Sequence, residues 1–175
     1  GEIPTIQAAL DTALAGDTVN VAAGTYGGGL VFPPNDLVLR GVDAETTILN
    51  GGDSSVVLTI NSGQTAASII SGLTIRGGLG TNGGGLVIDD GSSPIFKEMI
   101  FYDNAATQGA ALYLNSFSSP TVAWSIFVVN SASSGQGAGI AIAGGSSVTV
   151  TNSIFWANTG TAVEVLSGSA DITYS

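Results

Sequence analysis

The sequence predicts an all-β fold, a parallel β-helix (solenoid) of about five coils that begins with a short amphipathic helix. Three observations predict it: a pattern repeated from Gly83 to Thr161, short alternating apolar runs, and clusters of small turn residues. The copies read GGGLVIDDGSSPIFKEMIFYDN, GAALYLNSFSSPTVAWSIFVVN and GAGIAIAGGSSVTVTNSIFWAN. Phe101, Phe127 and Phe155 share one column, so the copies follow one another at nearly equal spacing. A period of roughly 20 to 50 residues is typical of stacked structural units.

The segment 3–14 is predicted to form the helix, with Thr5 as its N-cap and Gly16 after its end. Four apolar residues fall on one face of it: Ile3, Ile6, Leu10 and Leu14. This face would cover the first coil, whose core and strand edges would otherwise meet water. We therefore expect a single domain over 1–175, with residues 1–16 as the cap and 17–175 as the coils.

The aligned copies predict which side chains point inward. Two apolar columns should form the core of the first repeated strand: Leu86, Leu112, Ile140 and Val163, then Ile88, Leu114, Ile142 and Val165. The column between them varies and should face solvent: Val87, Tyr113, Ala141 and Glu164. In the second strand the Phe column points inward, as do Met99, Ser125 and Ser153 just before it.

Asn104, Asn130 and Asn158 follow the Phe column by three positions, where each strand turns. Stacked amides can donate and accept along the solenoid, so these residues are predicted to form a structural ladder. A row of amides that binds a ligand is the alternative.

Composition excludes several function classes. The chain has 13 acidic and 3 basic residues, a net charge of -10, which repels nucleic acid and anionic membrane surfaces. It has no His and no Cys, so imidazole-dependent catalysis, disulfides and thiolate metal sites are impossible. No apolar run is long enough to cross a membrane.

The opening IPTIQAALDTALAGDTVNVAAGTYGGGLVF and the repeats of the form SSP-x-V-x-x-S-I-F-x-x-N carry a family resemblance. They resemble the right-handed parallel β-helix repeat proteins of the pectin-lyase-like superfamily, particularly secreted or surface proteins of environmental bacteria. The resemblance implies a right-handed coil and a secreted or cell-surface location. It implies little about activity, because this scaffold serves lyases, hydrolases and adhesins.

The enzymes of this superfamily suggest specific residues to consider. Pectate lyases use an Arg base beside acidic calcium ligands, and Arg40 and Arg76 each follow a strand here. The polygalacturonase-like enzymes use paired Asp residues with a His and a basic motif. Asp89 and Asp90 resemble that pair, but the His and the basic motif are absent. An acidic turn can still supply oxygen ligands, so Asp89 and Asp90 are weak calcium candidates and no other cofactor is expected.

Four aromatic side chains are the ligand-binding candidates. Trp156 follows the inward Phe155 and should point outward, in a column with Tyr102; Trp124 and Tyr113 should also be exposed. Exposed aromatic rings on a polar surface can stack against the apolar faces of sugar rings. Each ring could instead simply cover a surface hollow.

The sequence thus favours a non-enzymatic secreted or cell-surface module, structural or adhesive, that binds glycans or a partner surface. The alternative is a polysaccharide lyase or glycoside hydrolase acting on acidic polysaccharide, with or without calcium. The last segment, SADITYS, aligns with SVTVTNS and stops before the next Ile-Phe pair. We therefore expect either that the natural protein continues or that chains associate end to end through the last coil.

Overall fold

A computed structural model describes residues 5–173 and shows a parallel β-solenoid of about six turns with one short helix near its N-terminus. The helix α1 spans Ile6–Thr12. The strands of the first three coils are β1 (Thr18–Val21), β2 (Gly24–Gly27), β3 (Leu30–Val31), β4 (Val38–Gly41), β5 (Thr47–Asn50), β6 (Leu58–Ile60), β7 (Ile69–Ser71), β8 (Thr74–Arg76), β9 (Leu79–Asn82) and β10 (Leu86–Ile88). Those that follow are β11 (Ile95–Lys97), β12 (Ile100–Tyr102), β13 (Ala105–Gln108), β14 (Leu112–Leu114), β15 (Thr121–Ala123), β16 (Ile126–Val128), β17 (Ser131–Gln136), β18 (Ile140–Ile142), β19 (Ser146–Thr151), β20 (Ile154–Trp156), β21 (Val163–Val165) and β22 (Gly168–Thr173).

Four parallel sheets run along the solenoid. Sheet A has the order β1-β4-β7-β11-β15-β19-β22, sheet B the order β2-β5-β8-β12-β16-β20, and sheet C the order β3-β6-β10-β14-β18-β21. The shorter sheet D consists of β9, β13 and β17. The fold class is confirmed, but about six turns replace the five that the repeat predicted.

The extra turn comes from irregular early coils. The register pairs Thr18 with Val38 and Val38 with Ile69, so the second of these coils is about half as long again as the first. In the later coils Ile69, Ile95 and Thr121 pair at equal spacing, which lies between those two lengths. A search for one period therefore misses the early coils.

The helix is shorter than predicted. The Thr5 side chain accepts from the backbone N–H of Ala8, which confirms it as the N-cap, and the side chains of Ile6 and Leu10 are buried against the first coil. The helix ends at Thr12, and the side chain of Leu14 is 70% exposed, so its predicted place on the apolar face is wrong. The reason is that Ala13 is already extended, with the Asp17 carboxylate accepting from the N–H of Leu14. Ile3 lies outside the described residues.

The predicted inward columns form the core. The Phe101 and Phe127 rings stack with centroids 4.6 Å apart, and the Phe127 and Phe155 rings with centroids 4.5 Å apart. The Leu86 and Ile88 columns are in register across sheet C and are buried through Ile140 and Ile142. Val165, predicted to be inward, is exposed because β21 is the last strand of that sheet.

Polar ladders fix the corners between the sheets. The Asn104 amide donates to Asn130 Oδ1, and the Asn130 amide donates to Asn158 Oδ1, at 2.9 and 3.0 Å. Each of these amides also donates to a backbone carbonyl, Asn104 to Ile75 and Asn130 to Phe101. The buried hydroxyls of Ser125 and Ser153 form a second ladder, each accepting from a backbone N–H of the preceding coil.

Candidate functional site

The outer surface of sheet B carries an exposed apolar face in the later coils. Two outward columns compose this face, which we call the B face: Ile100, Ile126 and Ile154, and Tyr102, Val128 and Trp156. The Tyr102 side chain is 39% exposed and the Trp156 side chain is 71% exposed. The predicted outward position of both rings is therefore correct.

Strand alternation explains why these side chains point outward. The central residue of each strand of the B face, Phe101, Phe127 or Phe155, points into the core, so both of its neighbours point away from it. Ile at the first outward position and Tyr, Val or Trp at the second then leave apolar atoms in water. Exposed apolar side chains that lie together, rather than singly, are typical of binding surfaces.

Trp124 lies at the corner between sheets A and B, next to the B face. Its ring is 57% exposed, and its backbone has a φ of 49°, in the left-handed region. The equivalent residues in neighbouring coils, Gly72, Glu98 and Asn152, share this conformation, with φ between 50° and 64°. Gly and Asn adopt left-handed φ at little cost, whereas Trp is strained there. The fold requires the turn, but nothing in the turn requires an indole.

A groove opens beside Trp124. One side is the loop 41–45, and the other is formed by Glu98, Ile100, Trp124 and Ile126, with Arg40 also lining it. Thr74 pairs with Ile100 and so belongs to the outward column of sheet B. It is buried, and its hydroxyl donates to the carbonyl of Ala44, so the loop lies over the outer side of this sheet. We call this space the corner groove; it joins the B face through Ile100 and Ile126.

Hydrogen bonds within the loop hold it in place. The Asp43 Oδ1 atom accepts from the backbone N–H and from the hydroxyl of Thr46, both at 2.8 Å. These bonds lower the pKa of the Asp43 carboxyl below its usual value, so it is ionised at neutral pH. The groove therefore has a fixed negative charge on its loop side.

Tyr113 points outward from sheet C as predicted, but its predicted exposure is wrong, because the side chain is buried. It lies between Val87 and Ala141 in the outward column of sheet C, yet Tyr113 and Ala141 are both buried. The turn at Gly109 passes so close that an added Cβ atom would lie 2.9 Å from the Tyr113 Cβ. Burial, and the nearby charge of Asp89, raise the pKa of the Tyr113 phenol above its usual value.

Asp89 and Asp90 directly follow β10, where the chain turns. The Asp89 Oδ1 atom accepts from the N–H of Asp90 at 2.8 Å, and Asp90 has a left-handed φ of 56°. Within residues 5–173 there is no group of three or more Asp or Glu side chains placed to hold a metal ion. Calcium binding at these two residues stays a prediction.

Sequence reasoning missed the corner groove. It joins Trp124 to Asp43 and Glu45, which belong to the long irregular coil between Val38 and Ile69, outside the repeat. The one signal in the sequence is the residue type at an aligned turn position: Trp124 stands where the flanking copies have Glu98 and Asn152.

Comparison with known proteins places the chain in one family. The family model described as right handed beta helix region matches residues 36–175, which is more than half of the chain. No curated protein and no solved structure matches. Among the described residues, the helix is too short to span a membrane. The chain therefore belongs to the right-handed beta helix family.

Proposed function

We propose that this protein is a non-enzymatic binding module of a bacterial cell surface or secretion product, and that its B face binds a glycan chain without acidic groups. The observation that carries the proposal is the joined exposure of Tyr102, Trp156 and the aliphatic side chains between them on one sheet surface. The Ile and Val side chains extend this surface from one ring to the other.

The spacing of the rings suits an extended polymer. Tyr102 and Trp156 are separated by one coil, that of Val128. Neighbouring strands lie about 4.8 Å apart, so the two rings are about 10 Å apart along the solenoid. Linked sugar rings present successive apolar faces flanked by hydroxyl groups, and two aromatic platforms in line can stack against them.

The scaffold keeps these platforms in place before binding. The strands β12 and β16 are paired on both sides, and β20, which carries Trp156, pairs with β16. The rings of Phe101, Phe127 and Phe155 stack beneath these three strands. A surface that is already ordered loses little conformational entropy when a ligand binds. The net charge of -10 favours a neutral chain over an acidic polysaccharide.

The test is binding of neutral oligosaccharides, such as cello-, xylo- and N-acetylglucosamine oligomers, measured by calorimetry and affinity electrophoresis. The double variant Tyr102→Ala, Trp156→Ala should weaken binding at least tenfold, because both stacking platforms are removed. Phe117→Ala is the matched control: its ring is 78% exposed but lies on the turn after β14, away from the B face.

Two results would overturn the proposal. One is equal affinity of wild type and the double variant for every oligosaccharide bound. The other is release of reducing ends or unsaturated products from pectate or alginate, with or without calcium, which would establish the lyase or hydrolase alternative instead.

A further inference from the structure

We propose that the corner groove selects glycans that carry free, protonated amino groups, with Trp124 stacking on the sugar ring and carboxylates of the groove binding the amine. This proposal rests on the proposed function, since it names the sugar chemistry recognised next to the B face. The groove and the face share Ile100 and Ile126, so one chain can contact both.

The shape of the groove provides a ring-sized apolar surface. The Trp124 indole is exposed, Ile126 is partly exposed, and both line the groove. A flat ligand ring can lie against this surface.

The charges of the groove determine what that ring should carry. Three carboxylates line it, those of Asp43, Glu45 and Glu98, against the single guanidinium of Arg40. All four side chains belong to exposed residues, so they can reach a ligand from water. A cation beside an indole gains both cation–π attraction and pairing with carboxylates. An acidic sugar would be repelled by the same groups.

A small metal ion fits this groove less well than an extended cationic ligand. The three acidic side chains do not form a metal-binding group within the described part of the chain. Metal ions such as calcium need six to eight oxygen ligands around one point, whereas amino groups along a glycan can pair with carboxylates placed separately. The groove is therefore matched to a charged chain.

The experiment compares glucosamine oligomers with N-acetylglucosamine oligomers of equal length, by calorimetry in weakly acidic buffer where the amine is protonated. We expect the free amines to bind about tenfold more tightly, and this preference to fall as salt is added. The double variant Glu45→Gln, Glu98→Gln should lose most of the preference. Arg40→Gln should increase the preference, because it removes the repelling charge.

Two control substitutions test whether the preference for free amines comes from the groove or from the overall negative charge of the protein. Asp171→Asn removes an exposed carboxylate on β22, outside the groove, and should leave the preference unchanged. Trp124→Phe should retain most of the affinity that Trp124→Ala loses. Equal affinity for both oligomers, or a preference unaffected by the Glu variants, would overturn this inference while the proposed function stands. Failure of every oligosaccharide to bind would overturn both.

Discussion

In the later coils the outer surface of sheet B is exposed and that of sheet C is largely covered, although the strands there have the same length and alternation. On sheet B, Tyr102 and Trp156 point away from the core into water. On sheet C, Tyr113 and Ala141 also point away from the core, but they are buried. An outward position in a solenoid therefore means exposure only where no further layer covers the sheet.

The covering layer on sheet C comes from the chain that leads into β10, β14 and β18. Turns at Gly83, Gly109 and Gly137 fold back over Val87, Tyr113 and Ala141. All three glycines have a positive φ, between 62° and 71°, which lets the backbone lie directly against these side chains. No equivalent glycine turn folds over β12 or β16 on sheet B in the part of the chain described, so the B face stays open.

The largest expected effect on stability is the difference between a substitution on the inner side of sheet B and one on its outer side. Phe127→Ala removes the middle ring of the buried stack and should lower the free energy of unfolding by about 3–5 kcal/mol. Trp156→Ala, one residue after the equivalent Phe155 but on the outside, should change it by less than about 0.5 kcal/mol. Denaturant unfolding of both variants measures the contrast. A comparable loss in both would mean that the B face is part of the core.

A smaller effect should come from disturbing the cover over sheet C. A Cβ atom at Gly109 would lie 2.9 Å from both Leu112 O and Tyr113 Cβ, and φ there is 65°. Gly109→Ala should therefore cost about 2–3 kcal/mol, from the left-handed strain and the displaced turn.

Gly91→Ala is the matched control for this variant. Its φ is 69°, but an added Cβ would meet nothing within 4 Å, so the strain alone should cost about 1 kcal/mol. Thermal unfolding of the pair separates close packing from backbone conformation. Equal losses in the two variants would show that the turn does not press on Tyr113.

The fold could be predicted because it repeats. A core column has to be apolar in every coil, so Phe101, Phe127 and Phe155 reveal the strand, its register and its buried side. The recurring Asn104, Asn130 and Asn158 likewise reveal the turn that follows each of these strands. Where the coils changed length, before Ile69, the period was lost and a whole turn was missed.

The candidate site could be predicted only in part. Trp156 and Tyr102 follow from strand alternation, because no turn covers them. Tyr113 was misplaced because alternation gives the side of a sheet and does not show whether a turn covers it. The corner groove depends on the loop 41–45, which meets Trp124 only after the solenoid has coiled. Nothing near either segment in the sequence indicates that contact.

The titration of Tyr113 provides a test of its burial. Its folded pKa is raised by burial and by the charge of Asp89, so the unfolded chain loses this proton first as pH rises. The stability that this raised pKa contributes is fully present below the unfolded pKa of about 10, and it is lost as pH rises through the pKa of Tyr113 in the folded protein. Unfolding free energies measured at increasing alkaline pH should therefore fall less steeply for Tyr113→Phe than for the wild type. Parallel curves would mean that the phenol is in contact with water.

No loss of stability is expected for Trp124→Asn, which gives this turn the residue that the next coil has at Asn152. Asn accepts a left-handed φ more easily than Trp, so the free energy of unfolding should be unchanged or rise by up to about 1 kcal/mol. The same substitution removes the indole from the corner groove and should weaken glycan binding at least tenfold. Denaturant unfolding and calorimetry on one preparation test both halves. A loss of more than about 1.5 kcal/mol would show that the ring supports the coil, as Phe127 does on the inner side.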